Sequence, residues 1–285
     1  MKQKIIDLAK DNFADIVGFA PASRFPEDDP IFKIFPNVKT VIGLGFRVLR
    51  GIYRGTEEGT TYYQYTTMAV ENMEETIMTM ASLKVCNLIE GNGFIAVPQR
   101  RHEQIMAEDN STNPEVAYDS IYRRKTSENQ MNFVDSAVKC GLGEKGLSGA
   151  LLTDDFGPFV RYCFVLTDME IESDELQNAH LCDKCGECIK ACPGNAISED
   201  GLNTWQCAVY YKGAHKSNPF ITEDFLKGDP EREKILNGEK RFDSDSAREI
   251  FKKMNFLPNT QWGYAPCLCG KKCDVACFKH IKGEY

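Results

Sequence analysis

The 285-residue chain has no apolar run approaching membrane-spanning length, which removes a helical membrane protein from consideration. It is also short of positive charge. Lys and Arg number 34 against 42 Asp and Glu, for a formal net charge of -8. A broad nucleic-acid-binding surface needs surplus Lys and Arg to displace counterions, so this balance weighs against one. The opening residues Met1, Lys2, Gln3 and Lys4 carry no signal-peptide pattern, and the expectation is a soluble, cytoplasmic chain. The 12 cysteines are clustered rather than spread, which argues against the disulfide framework of a small secreted domain.

The densest cysteine run is Cys182, Cys185, Cys188 and Cys192, followed by Pro193. Its spacing, C-x2-C-x2-C-x3-C-P, is that of a bacterial ferredoxin ligand run. Three thiolates so spaced wrap one iron-sulfur cube, while the fourth, held before a proline, points toward a second cluster. Further thiols follow at Cys207, Cys267, Cys269, Cys273 and Cys277. The expected sets are Cys182, Cys185, Cys188 and Cys277 for one [4Fe-4S] cluster, and Cys192, Cys207, Cys269 and Cys273 for the other. Cys267 is then spare, and whether it replaces Cys269 as a ligand stays open. The late group reads C-x3-C-x3-C, and a structural zinc held by close thiol pairs is the alternative there.

The chain in order predicts an α+β protein. Lys4 to Asn12 reads as an amphipathic helix, followed by strands at 15–20 and 40–46. Pro21, Pro26, Pro30 and Pro36 suggest an irregular connection, and Gly51, Gly55 and Gly59 a loop. Ala69, Met73, Ile77, Ala81, Val85 and Leu88 form the stripe of one long helix, on which Cys86 is a buried filler. Tyr62, Tyr63 and Tyr65 precede it; their phenols suit either a reductase site or ordinary packing. The polar stretch from Gln99 to Gln130, rich in Arg, reads as a binding loop or lid.

After a helix over 133–139, Gly141, Gly143 and Gly146 spell G-x-G-x-x-G. The dinucleotide-binding reading fails, because a helix leads into the run and a strand at 150–153 follows it, the reverse of what that fingerprint requires. The glycines still let backbone lie flat against a large ligand. A strand over 159–167, with Cys163 in the core, is expected to pair with 150–153 as a hairpin. The acidic stretch 170–177 suggests a linker, dividing residues 1–174 from 175–285. In the second part a helix over 202–211 presents Cys207, and a polar insertion over 213–245 is expected on the surface. A helix follows over 247–254, started by the capping box Ser246-x-x-Glu249. His180, His215 and His280 flank the cysteines as hydrogen-bonding neighbours. Lys271, Lys272, Lys279, His280 and Lys282 form a basic face suited to an acidic electron donor.

The segment 137–153 with its glycines, the segment 157–168 and the ferredoxin run together resemble the epoxyqueuosine reductase family and its reductive dehalogenase relatives, over roughly Asp15 to Cys277. The resemblance implies an N-terminal α/β sandwich similar to nitroreductase-like cobalamin enzymes, joined to a ferredoxin-like two-cluster domain. It implies that the clusters feed electrons to a corrinoid, along which Gly141, Gly143, Gly146, Leu147 and Ser148 would lie. Two departures stand out. The family's proton-donating aspartate sits in an Asp-Ser/Thr-Ala/Gly-Pro segment, whereas Asp135, Ser136 and Ala137 lack the proline and stand just before Gly141. No catalytic acid is therefore assigned. The chain also lacks the helical-repeat extension of many epoxyqueuosine reductases, which with the acidic balance weighs against a tRNA substrate.

The sequence thus predicts an iron-sulfur reductase with two [4Fe-4S] clusters and cobalamin, served by a donor such as a ferredoxin or flavodoxin and acting on an unidentified small molecule. The alternative is a non-catalytic electron-transfer or binding module that has lost the corrinoid. A cavity between the glycine segment and the nearest cluster would favour the enzyme.

Overall fold

The structure is a computed structural model that describes residues 1–100, 131–177 and 180–283. Its main elements are α1 (Lys2–Asp11), β1 (Ile16–Pro21), α2 (Pro30–Ile34), β2 (Thr40–Arg47), α3 (Gly51–Glu58), α4 (Met78–Glu90) and β3 (Ala96–Gln99). After these come α5 (Phe133–Lys139), β4 (Val160–Thr167), α6 (Glu187–Ala191), α7 (Thr204–Tyr211), α8 (Arg232–Leu236), α9 (Ser244–Phe251) and α10 (Lys272–Lys282). The α+β expectation holds. Most of the polar stretch from Gln99 to Gln130 lies outside the described residues.

These elements form two compact units that alternate along the chain. The first comprises Met1–Arg47, Glu74–Glu144 and Val160–Ala179. Its four strands make one antiparallel sheet in the order β1-β2-β4-β3. Side chains alternate across a sheet, so neighbours on β4 report on opposite faces. Phe164 meets the ring of Phe133 on α5 edge-on at 5.2 Å, while the Cys163 thiol donates to the carbonyl of Met78 on α4. Helices therefore cover both faces, the α/β sandwich anticipated from the sequence.

The glycines of this sheet have a packing reason. Gly18 and Gly43 face each other across β1 and β2. A Cβ on Gly18 would collide with the Cys140 carbonyl, and one on Gly43 would come within 2.9 Å of Leu142 Cδ1. The turn after α5 thus lies directly on bare backbone, with Leu142 buried in the dent. The hairpin expected between 150–153 and 159–167 does not form. β4 pairs instead with β2 and β3, because its residues are buried on both faces and it belongs inside the sheet. β3, unforeseen, is an edge strand, where Pro98 is tolerated. The stretch expected as an acidic linker is tied to this unit at Asp174, whose carboxylate accepts from Lys2 Nζ at 2.5 Å and from the Phe19 amide at 3.0 Å.

The connection through Pro21 to Pro36 is more ordered than predicted. Asp29 caps α2 by accepting from the Ile31 amide, and Pro30 takes the first helical position, where its missing N–H costs nothing.

The second unit comprises Val48–Met73, Lys145–Phe159 and His180–Tyr285. The glycines at 51, 55 and 59 do not make a loop. They span α3, which ends because Gly59 takes the left-handed conformation at φ 70°. The long helical stripe begins earlier than expected, with π-type turns over Tyr65–Glu71, and becomes α-helical only at Met78. An aromatic column runs through the unit: Tyr53 stacks on Phe159 at 4.1 Å, and Phe159 on Phe278 of α10 at 4.4 Å.

The insertion over 213–245 is not merely surface. Phe225, Leu226, Ile235, Leu236 and Phe242 bury against Val209 and Tyr210 of α7 and Ala247 and Ile250 of α9, a satellite core hidden in a polar sequence. The capping box also moves. Asp243, not Ser246, caps α9: its carboxylate accepts from the Ser246 amide at 2.9 Å, and Ser246 Oγ accepts from the Asp243 amide at 3.0 Å. An aspartate caps as well as a serine, and the earlier of the two started the helix.

Candidate iron-sulfur site

The cysteine residues of the ferredoxin run are set by backbone that only a few residues tolerate. Lys184 and Gly186 both adopt positive φ, of 61° and 78°, so the chain from Cys182 curls before entering α6. The curl is held by the Asp183 carboxylate, which accepts from the Cys185 amide at 3.0 Å. His280 of α10 donates to the same carboxylate at 2.8 Å, and this hydrogen bond first, the Cys185 amide second, holds Asp183 below the usual carboxylate range. Helices α6 and α10 pack together, bringing Cys188 and Cys277 into one place.

Cys182, Cys185, Cys188 and Cys277 line a single cavity with about 350 Å³ of space, its open mouth included. The other lining residues include Gly146, Leu147, Ser148 and His280. The Leu147 amide donates to Cys182 Sγ at 3.4 Å. Burial is the main reason the Cys277 thiol is pushed up to about 12, with the charges of Asp274, Cys188, Cys182 and Cys185 next; burial and the thiols of Cys185 and Cys182 likewise raise Cys188.

In the second set, Cys207 and Cys273 each feel the charges of two other members. Cys192 follows α6, and the extended conformation required before Pro193 turns it out of the helix that carries Cys188. Its Sγ accepts from the Ala196 amide at 3.3 Å. Cys207 sits on α7, whose start is fixed by Asn203 accepting from the Gln206 amide. Burial, then Cys269, pushes the Cys207 thiol up to about 12, and Cys192 adds to the effect. Cys273 is raised chiefly by burial, then by Asp274, with Cys269 and Cys207 contributing. Lys271, paired with Asp274 at 2.8 Å, acts in the opposite direction at Cys207, Cys269 and Cys273, a cation set among thiols.

Tetrahedral zinc at about 2.3 Å from each sulfur needs its ligands roughly 3.8 Å apart. Among the described residues no three thiols lie mutually within 4.8 Å. Asp183, Cys185 and His280, all exposed, do lie within that limit of one another.

Other residues singled out from the sequence take different places. Gly141, at φ 75°, packs so that a Cβ would meet the Glu175 carbonyl at 2.7 Å, and Gly143 is buried in the same turn. Gly146, Leu147 and Ser148 stand at the cavity. Tyr63 donates to the Pro258 carbonyl at 2.6 Å, Tyr62 meets the Phe220 ring edge-on, and Tyr65 is buried beside Tyr53. Cys86, Cys140 and Cys163 are buried and stand outside both sets. His180 is exposed; His215 is buried with Nδ1 2.9 Å from Ser217 Oγ. The Leu147 and Ala196 amides escaped sequence reading, because a backbone donor leaves no residue-type signal; Lys271, expected on a basic face, pairs instead with Asp274. No helix among the described residues is long and apolar enough to cross a membrane.

Residues 177–198 match the 4Fe-4S binding domain family. The tetrachloroethene reductive dehalogenase of Desulfitobacterium hafniense is 41% identical over 70 residues, 24% of this chain and 13% of that protein. The epoxyqueuosine reductase of Cyclobacterium marinum is 36% identical over 78 residues, 25% of each chain. The chain therefore spans no more than a quarter of either curated relative by aligned sequence. Among solved structures, the epoxyqueuosine reductase of Streptococcus thermophilus matches with a TM-score of 0.51 at 14% identity, covering 97% of this chain and 65% of that one. A catabolic reductive dehalogenase matches with a TM-score of 0.53 at 16% identity, covering 88% and 33%. The chain thus carries a 4Fe-4S binding domain and the fold of epoxyqueuosine reductases and reductive dehalogenases, and the resemblance read from its sequence is borne out.

Proposed function

We propose that the protein is a cytoplasmic iron-sulfur oxidoreductase that passes electrons through two [4Fe-4S] clusters to a corrinoid-type cofactor, which reduces a small-molecule substrate. Cys182, Cys185, Cys188 and Cys277 would hold the first cluster, and Cys192, Cys207, Cys269 and Cys273 the second. Bound in such a chain, a corrinoid supplies the low-potential metal chemistry while the protein supplies position and electron access.

The observation that carries this reading is the wall of the first cavity. Gly146, Leu147 and Ser148, three of the residues assigned by resemblance to the corrinoid, line it with the four thiols. Leu147 touches the first set directly, its amide bonding Cys182 Sγ. That amide favours the thiolate and disperses its charge, a contact that tunes the potential of a cluster held there. The Ala196 amide does the same at Cys192. Lys271 offsets part of the negative charge that four thiolates would gather in the second set. The acidic balance of the chain favours a small molecule over tRNA, and a ferredoxin or flavodoxin is the natural class of donor.

Incubation of the anaerobically purified chain with cobalamin, followed by gel filtration and cobalt analysis, tests the proposal. Cobalt near one per chain is expected. Full iron without retained cobalt would replace the enzyme with the electron-transfer module.

A further inference from the structure

The cysteine left over by the two quartets is not remote from them. Cys267 is fully buried, and its Sγ lies 3.8 Å from Cys269 Sγ. The turn that brings the two together is fixed on both sides. The Cys267 amide donates to Thr66 Oγ1 at 3.1 Å, and the Leu268 amide donates to the Tyr211 carbonyl at 2.8 Å. Leu268 fills the space over Gly213, whose Cβ, if it had one, would stand 2.7 Å from Leu268 Cδ1. Gly270, at φ 66°, closes the turn, and its amide reaches back to the Cys267 carbonyl at 3.4 Å. The backbone that carries both sulfurs is therefore held on either side of the turn.

We infer that Cys267 is a reserve ligand of the second cluster, able to take the place of Cys269 on the same iron. This rests on the two-cluster reading. The reason is geometric: a distance of 3.8 Å between the sulfurs is about the edge of the tetrahedron around one iron-sized ion bonded at about 2.3 Å to each. Both thiols can thus address one metal atom without moving the backbone. In the exchange, the iron to Cys269 sulfur bond breaks and the iron to Cys267 sulfur bond forms. The Cys267 thiol proton passes to Cys269, and no electron is transferred. A cluster with a fifth thiol at hand keeps four protein ligands when one bond opens.

The test compares the full-length chain, anaerobically purified, with C267A, C269A and C267A/C269A; alanine is chosen because it cannot bind iron. Wild type, C267A and C269A are each expected to hold about eight irons per chain, and the double variant about four, a twofold loss confined to the second cluster. C269A should also show an altered electron paramagnetic resonance spectrum after reduction. Four irons in C269A alone would overturn the inference, as would four in C267A alone or eight in the double variant. Wild type at about four would instead remove the two-cluster reading, an outcome separate from any difference among variants. The irons retained by the double variant report that the chain has folded.

Discussion

Gly194→Ala replaces one hydrogen by a methyl group two residues after Cys192, and its cost can be worked from what surrounds it. A Cβ at this position would overlap Cγ and Cδ2 of Tyr210 and lie 2.6 Å from its Cβ. The ring cannot step aside easily. Tyr210 is 1% exposed, its hydroxyl donates to the Ile235 carbonyl at 2.6 Å, and its ring meets Phe242 edge-on. Overpacking of a tight core costs about 1–3 kcal/mol, and displacing the hydroxyl forfeits about 1 kcal/mol more. A total near 3 kcal/mol lowers the melting temperature by roughly 6–12 °C for a chain of this size class. The strain also reaches the ligand loop, since the Ala196 amide bonds Cys192 Sγ and the Gly194 carbonyl accepts from Gln206. Iron should therefore fall from about eight toward about four per chain. Calorimetry and iron analysis read both effects, and the double variant G194A/Y210L should recover part of each. A G194A protein that melts within a degree of wild type with its iron intact would refute the reasoning.

Other expectations follow from buried charge and thiols. Burial, then the nearby Lys272, lowers His215 from 6.5 to about 4, so the unfolded chain takes up a proton below 6.5 that the folded chain refuses until about 4. Stability should fall by up to about 3 kcal/mol across that interval and level off below it, a loss absent from H215Q in urea titrations at pH 7 and pH 4.5; equal losses in both proteins would contradict this. Burial pushes Cys86 up to about 12 and raises Cys140 and Cys163 as well, so at pH 8 iodoacetamide should spare all three in the native protein and label them in denaturant. Peptide mapping that finds stoichiometric native labelling would contradict it. Glu74, 2% exposed, pairs with Arg161 of β4. Glu74→Ala should destabilise the protein by about 3–5 kcal/mol, because it removes the buried carboxylate paired with the arginine, while E74M/R161M should cost far less. Denaturant midpoints distinguish the two.

The sequence announces the cysteine chemistry because ligand spacing is local: the three thiols from Cys182 to Cys188 need only a curled loop, and Pro193 alone sets the direction of Cys192. Helix α5 and the strands β1 and β2 were legible for the same reason, their apolar periods being short and clean. What stayed hidden depends on distant partners. Gly18 and Gly43 are glycine because Cys140 and Leu142, in the turn after α5, rest on them. The satellite core of the insertion was missed because its five apolar side chains are scattered among charges and show no period. β3 was missed because Pro98 argues against a strand unless the strand is known to lie at an edge. Whether Asp243 or Ser246 caps α9 is a choice between adjacent, nearly equal candidates.

The central claim is that eight thiols hold two clusters of four irons. It is met most directly by measuring iron, acid-labile sulfide and zinc together on the anaerobically purified protein. The account predicts about eight irons, about eight sulfides and no stoichiometric zinc per chain. About four irons with one zinc would contradict it, leaving a single cluster in the first cavity and a structural zinc among the late cysteines.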